Sequence, residues 1–539
     1  MVLRRCWIAI GLVAAWWSGS PGLAAKLDEM SLERWAKLRE VERYQLQVAE
    51  EYYRKKDWKV AMAEYEKYLA LYERSEAGPY AQLKWSLCQI QLRKANTAIK
   101  EGFQSVIDYW PDSPEAVAAA YYIGQTYKSM GQIGNAKKAY RAVLENHAKH
   151  FAAVRAMVDL IEIASVEKDL DTQVELWKKL AFDVVRTKET QQLCGDASRQ
   201  LAVHYFALAA FDDGVKALAT TYQDDKLPPE VAAYVRGPLG QLTASAETRP
   251  KGEKLVSAAV AYLRRAMPSD VSDPEKKALA RQYRYYVAEV YAAARLDSKV
   301  EETYAEILKR LGTDDETLGR LAAWYKSQRR FEDARRTYRR FADAVEGLSR
   351  VARSYRDEGN HESAVATYRE LVGRDKESRV RWTAEIAGTY CDARKYKEAI
   401  AVYQELLKLD PENSESWRWH VATAYRDAGQ HKEAIAWYRQ CTNFPANYKE
   451  MAACQRRLKQ YNEALALYAQ IAGGDPKSAP WAMLEMARTY EQAGKKEQAI
   501  KAFQQVCKRF PKDAHASQAH AHLQSKYNIS ITLGGAKDE

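Results

Sequence analysis

The stretch TAEIAGTYCDARKYKEAIAVYQELLKLDP, residues 383–411, decides the fold. Ile386, Ala387 and Tyr390 lie at helical spacing, and Tyr396, Ala399, Tyr403 and Leu406 repeat that spacing after a turn. A period of three to four residues is that of a helix buried on one face, so the segment predicts a helical hairpin. Pro411 closes it, because proline lacks the N–H that a further turn would need. Alanines let the two helices approach, and tyrosines fill the seam with apolar area while keeping a polar tip.

The same anchors recur outward from this hairpin. A tyrosine late in a first helix stands at Tyr325, Tyr355, Tyr390, Tyr425 and Tyr490, with Gln455 breaking the series. An alanine in a second helix stands at Ala334, Ala364, Ala399, Ala434, Ala464 and Ala499, and an aromatic follows four residues later at Tyr338, Tyr368, Tyr403, Tyr438, Tyr468 and Phe503. The alanine spacings are 30, 35, 35, 30 and 35, so two units are predicted to be short. Gly429 and Gly494 fall where the first helix should end with a positive φ. In this pattern the chain resembles the tetratricopeptide repeat (TPR) family, whose unit is two antiparallel helices in about 34 residues. The family's usual first-helix glycine is alanine here, at Ala322, Ala352, Ala387, Ala422 and Ala487. The resemblance implies an all-α, TPR-type solenoid whose role is to bind proteins or peptides without a cofactor.

A second array starts near Val41, with Ala49, Tyr52, Trp58, Ala61 and Tyr65 in the same places, then Phe103, Val106 and Pro111, then Gly124, Tyr127, Gly131, Ala136 and Tyr140. The run from Phe103 to Tyr127 is similar to the TPR subtype of bacterial envelope proteins such as the Tol-Pal-associated coordinator and the outer-membrane-assembly lipoprotein. Between the arrays Leu201–Leu218 still reads as a unit, with Ala202, Tyr205 and Phe211. Pro228, Pro229, Pro238, Pro250, Pro268 and Pro274 then predict irregular helices or a hinge. The expected organisation is a leader at 1–25, a first array at 26–150, a degenerate helical segment at 151–280, a second array at 281–525 and a tail at 526–539.

Arg4 and Arg5, the apolar run Cys6–Trp17 and the small residues of Ser18–Ala25 have the three-part layout of a secretory signal peptide, with cleavage near Ala24 or Ala25. No cysteine follows to carry a lipid anchor, and no later segment is apolar enough to span a bilayer. The expected location is periplasmic or secreted, peripheral to the envelope. Nucleic acid is not an expected partner of an exported chain. The formal charge of +11 loses two positive charges with the leader, a mild basic excess that favours acidic partners. Six cysteines remain, and only Cys441 and Cys454 are close enough in sequence to consider as a disulfide; buried thiols are the alternative.

The sequence has no H-E-x-x-H, C-x-x-C, P-loop, G-x-S-x-G or Rossmann glycine pattern. His147 and His150 sit one turn apart, but exposed helix positions explain them, and His515, His520 and His522 share no helical face. The sequence therefore points to no enzyme and to no metal or cofactor; a catalytic reading would have to place an unrecognised site in 219–280. Acidic residues alternate with Lys and Arg, the pattern of solvated helix faces with local pairs. On the first-helix stripe opposite the anchors, arginine and tryptophan recur: Arg353, Arg356, Arg381, Trp419, Thr423, Arg426, Trp481 and Arg488. Both types are rich in interfaces, so these eight positions are the candidate groove for an extended or helical acidic segment. The expected role is an exported scaffold or adaptor of an envelope or secretion complex, with a coordinator of wall or outer-membrane enzymes as the alternative.

Overall fold

The computed structural model describes residues 27–531, and among these every regular element is a helix. The leader lies outside the described residues. The chain divides into two compact units, Met1–Ala305 and Glu306–Glu539.

In the second unit, helix hairpins follow one another, each helix packing on the one before and the one after it. The second-helix anchors are the core: Ala334, Ala364, Ala399, Ala434, Ala464 and Ala499 are fully buried, as are Tyr368, Tyr438 and Phe503. The first-helix tyrosines behave differently. Tyr325, Tyr355 and Tyr390 are only half-buried; Tyr325 is partnered by an arginine of its own hairpin's turn, and Tyr355 and Tyr390 each by an arginine of the preceding hairpin's second helix. The Arg330 guanidinium lies 4.6 Å from the Tyr325 ring centre and that of Arg335 4.1 Å from Tyr355, while Arg369 donates to the Tyr390 hydroxyl at 3.0 Å.

The two short units have a clear origin. Second helices His361–Arg374, Tyr396–Leu409, Tyr461–Gly474 and Lys496–Arg509 each run 14 residues, but Phe331–Tyr338 and His431–Tyr438 stop after 8. Phe341 and Cys441, just past these ends, stay buried where Leu371 and Ile471 lie in the long helices. Gly347 allows the close approach after the first short helix: a Cβ there would meet the Tyr338 carbonyl oxygen at 2.5 Å. After the second, Asn447 donates its amide to the Cys441 carbonyl at 2.7 Å. One short and two long hairpins thus make a module that recurs one hundred residues on, as the helices Phe331–Tyr338 and His431–Tyr438 or Tyr396–Leu409 and Lys496–Arg509 show.

Every hairpin turn needs one residue with positive φ. Gly429 and Gly494 supply it as expected and Gly359 does so as well, but Arg329, Arg394 and Lys459 adopt it too, with φ of 60°, 56° and 59°. The final helix, Ala514–Tyr527, covers the last hairpin, and Ile529 and Ile531 beyond it pack on the same core.

In the first unit the hairpins Glu40–Arg54 with Trp58–Leu71 and Pro114–Ser129 with Ile133–Asn146 keep the same pattern around buried Tyr65 and Tyr140. The proline-rich stretch forms the helices Leu227–Ala244, Arg249–Ala266 and Pro274–Ala293. Pro228, Pro229, Pro250 and Pro274 open helices, where no N–H partner is lost, and only Pro238 lies inside one.

Candidate partner-binding face

The first helices of the second unit carry all eight groove residues, six of them well inside the array and Trp481 and Arg488 on Ala479–Gln492 near its end. Their surroundings separate them into two groups. Arg356, on Ala344–Glu358, reaches across to the next first helix, Arg379–Asp392, where its Nη1 donates to Glu385 at 2.9 Å and its Nε to Asp392. Gly388 makes room: a Cβ there would come within 3.4 Å of the guanidinium. Burial opposes the Arg356 charge, but Asp392 and Glu385 outweigh it and hold the group above its ordinary pKa.

Arg426 repeats the device, donating to Glu450 of the following first helix at 2.6 Å and to Asp427 at 2.9 Å, and its pKa is likewise raised against burial. One module along from Arg356, Arg456 bonds Glu485 and donates to Gln492 at 3.0 Å. Arg488 closes on Glu485 at 2.6 Å and on Gln518 of the final helix at 3.3 Å. Lys326 pairs with Asp357 at 2.5 Å in the same sense, and in the first unit Lys128 pairs with Asp159 at 2.8 Å. The cations of the stripe thus form a ladder of struts between successive first helices. Reading the acidic residues as local pairs on solvated faces missed this; the signal was their spacing of 24 to 36 residues from an arginine or lysine, about one repeat length.

Arg353 and Arg381 are the other group. Both are exposed and neither makes an ion pair among the described residues. The Arg381 guanidinium lies 4.4 Å from the ring centre of buried Trp382, whose Nε1 donates to Asp375 at 2.9 Å. Trp419 and Trp481 are half-buried: Trp419 meets the Tyr438 ring edge-on at 4.9 Å and Trp481 the Tyr468 ring at 5.6 Å. The Thr423 hydroxyl lies 3.0 Å from the Tyr438 hydroxyl. The tryptophans therefore bridge second and first helices.

The remaining candidates resolve into structural duties. The His150 ring accepts from the Ala152 N–H and caps Phe151–Glu167. His522, which shares no helical face with His515 and His520 in the sequence reading, lies 3.0 Å from Glu491 and packs on Phe503. Burial opposes ionisation of Glu491, but hydrogen bonds from Tyr527, His522 and Lys526 prevail and hold its carboxyl down to about 2. Cys441 and Cys454 are buried free thiols, pushed up to about 11 by burial. Among the described residues no group of metal-ligating side chains gathers, and no helix is long and apolar enough to cross a membrane.

Family comparisons agree with this geometry. Tetratricopeptide-repeat models match residues 118–150, 350–414 and 455–523, and a model for anaphase-promoting complex (cyclosome) subunit 3 matches 392–471. The stacked hairpins and these matches show that the chain carries tetratricopeptide repeats. No curated protein sequence matches it. Among solved structures it is similar to the Cut9 and Hcn1 heterotetramer of the APC/C (13% identity, 92% of this chain and 99% of that one, TM-score 0.25). It is also similar to yeast Tom70 (12% identity, 91% and 98%, TM-score 0.26) and to TPR-like repeats from Podosopora anserina (20% identity, 30% and 92%, TM-score 0.25). Those TM-scores are too low to bear on the fold, and the assignment rests on the family matches and the hairpins.

Proposed function

We propose that this chain is an exported scaffold that holds other proteins together in a bacterial envelope or secretion complex. The observation that carries the binding role is the division of labour on the first helices. Arg356, Arg426 and Arg456 lock successive hairpins together, which leaves exposed Arg353 and Arg381 on a pre-organised face for an acidic segment. Export rests on the leader layout of residues 1–25. The match to a model named for a subunit of a multi-protein complex supports a scaffold role. A coordinator of wall or outer-membrane enzymes is the second reading, supported by the resemblance of Phe103–Tyr127, which overlaps the matched repeat at 118–150.

The test is cross-linking mass spectrometry in native envelopes with wild type and an Arg353→Glu/Arg381→Glu variant. Loss of the variant's cross-links with an unchanged circular dichroism spectrum supports the face; unaltered capture rejects it. Arg356 and Arg426 are unsuitable for charge reversal, because a new carboxylate would face Glu385 and Asp392 or Glu450 and open the array.

A further inference from the structure

The short second helix Phe331–Tyr338 and its flanks carry six arginines: Arg329, Arg330, Arg335, Arg336, Arg339 and Arg340. Two of them have structural work. Arg335 is buried, bonding Glu358 at 2.5 Å beneath Tyr355, and Arg330 pairs with Asp333 at 2.8 Å. Arg329, Arg336, Arg339 and Arg340 are exposed, Arg336 by 71% of its side chain. Only Glu332 and Asp333 lie among them, and both are shared: Glu332 is 3.7 Å from Arg336 and 4.0 Å from Arg339, and Asp333 is 3.8 Å from Arg336. Arg336 stands one turn from Arg339 and Arg340, a like-charge grouping that costs the helix stability.

The chain holds its own control for what the fold requires. His431–Tyr438 is the equivalent helix one module later, with the same length and the same buried alanine and tyrosine. Where the first has Arg329, Arg336 and Arg340, the second has Gly429, Ala436 and Gln440; only Arg339 has an arginine counterpart, Arg439. A cation just past a helix end meets the last carbonyls, which accounts for that shared position. The other three arginines serve no need of the short hairpin.

We propose that Arg329, Arg336 and Arg340 form a second docking surface, on the second-helix side of the array, that receives an acidic protein segment. The guanidinium fork matches paired carboxylates. A bilayer is a poorer match, since among the described residues no large apolar side chain between 297 and 443 is exposed for insertion. A nucleic-acid strand would need open rings to stack on, and Trp324 and Tyr325 are half-buried with Arg330 over them. This surface is separate from the first-helix face, so failure of one leaves the other standing.

The experiment is fluorescence anisotropy of a labelled deca-glutamate peptide with the full chain. One variant takes the residues of the equivalent helix (Arg329→Gly, Arg336→Ala, Arg340→Gln); a control removes three exposed cations elsewhere (Lys408→Gln, Lys432→Gln, Arg439→Gln). The expected result is a loss of about tenfold in affinity for the first variant and at most about twofold for the control, with unchanged helicity. Equal losses in both variants would overturn the proposal, as would absence of peptide binding by the wild type. Tighter binding of the wild type to phosphatidylglycerol vesicles or to a ten-nucleotide DNA strand would also overturn it.

Discussion

Removing Arg456 tests whether the struts hold the array. Its side chain is 19% exposed and that of its partner Glu485 10%, so the pair is largely withdrawn from water. Arg456 also donates to Gln492 at 3.0 Å and lies 3.4 Å from the Tyr468 hydroxyl. Losing one charged partner of a fully buried pair costs about 3–5 kcal/mol. Two features lower that figure here: Arg488 still bonds Glu485 at 2.6 Å, and the remaining exposure lets water reach the carboxylate. One charged hydrogen bond lost from a part-screened site comes to about 2 kcal/mol. Methionine keeps the apolar stem, so Arg456→Met isolates the charge. The effect should be local, since a repeat array is held by nearest-neighbour interfaces and opens in sections. Hydrogen exchange should therefore show the amides of Ala479–Gln492 losing about 2 kcal/mol of protection, with those of Phe331–Tyr338 unchanged. In a double-mutant cycle, Arg456→Met and Glu485→Gln should couple by about 1–2 kcal/mol. Unchanged protection at Ala479–Gln492, or a coupling below about 0.3 kcal/mol, would refute the strut reasoning.

Three more outcomes follow from the same geometry. Glycine at Arg394 or Lys459 should raise stability by about 0.5–1 kcal/mol in thermal unfolding, because the left-handed backbone there strains a side chain, whereas Gly429→Ala should lower it by about 1 kcal/mol. A carboxyl held low in the folded chain contributes its stability once ionised: the Glu491 share should be complete above its ordinary 4.5 and vanish as pH falls toward 2. Protection of the Ala514–Tyr527 amides, relative to intrinsic exchange at each pH, should fall over that window in the wild type and fall less in Glu491→Gln. Tyr438→Ala should cost about 3–4 kcal/mol in urea unfolding, as for a fully buried ring, and Tyr390→Ala about 1 kcal/mol; equal costs would contradict the difference in burial.

The sequence by itself determined the hairpins. Burying one face of a helix leaves a period that neighbours three or four residues apart must satisfy, so Ala399 and Tyr403 announced their helix without help from the rest of the chain. The unequal spacings of 30 and 35 likewise contained the two 8-residue helices, because a missing turn and a half must shorten the repeat. The charged residues were a different matter. Whether an arginine is a strut or a free contact depends on what the next hairpin brings beside it, and that depends on the rise and rotation between hairpins, which no local period encodes. Arg353 and Arg356 sit less than one turn apart on one helix and look alike in the sequence. Only the packing of Arg379–Asp392 against Ala344–Glu358 sets Glu385 and Asp392 within reach of one and leaves the other in solvent.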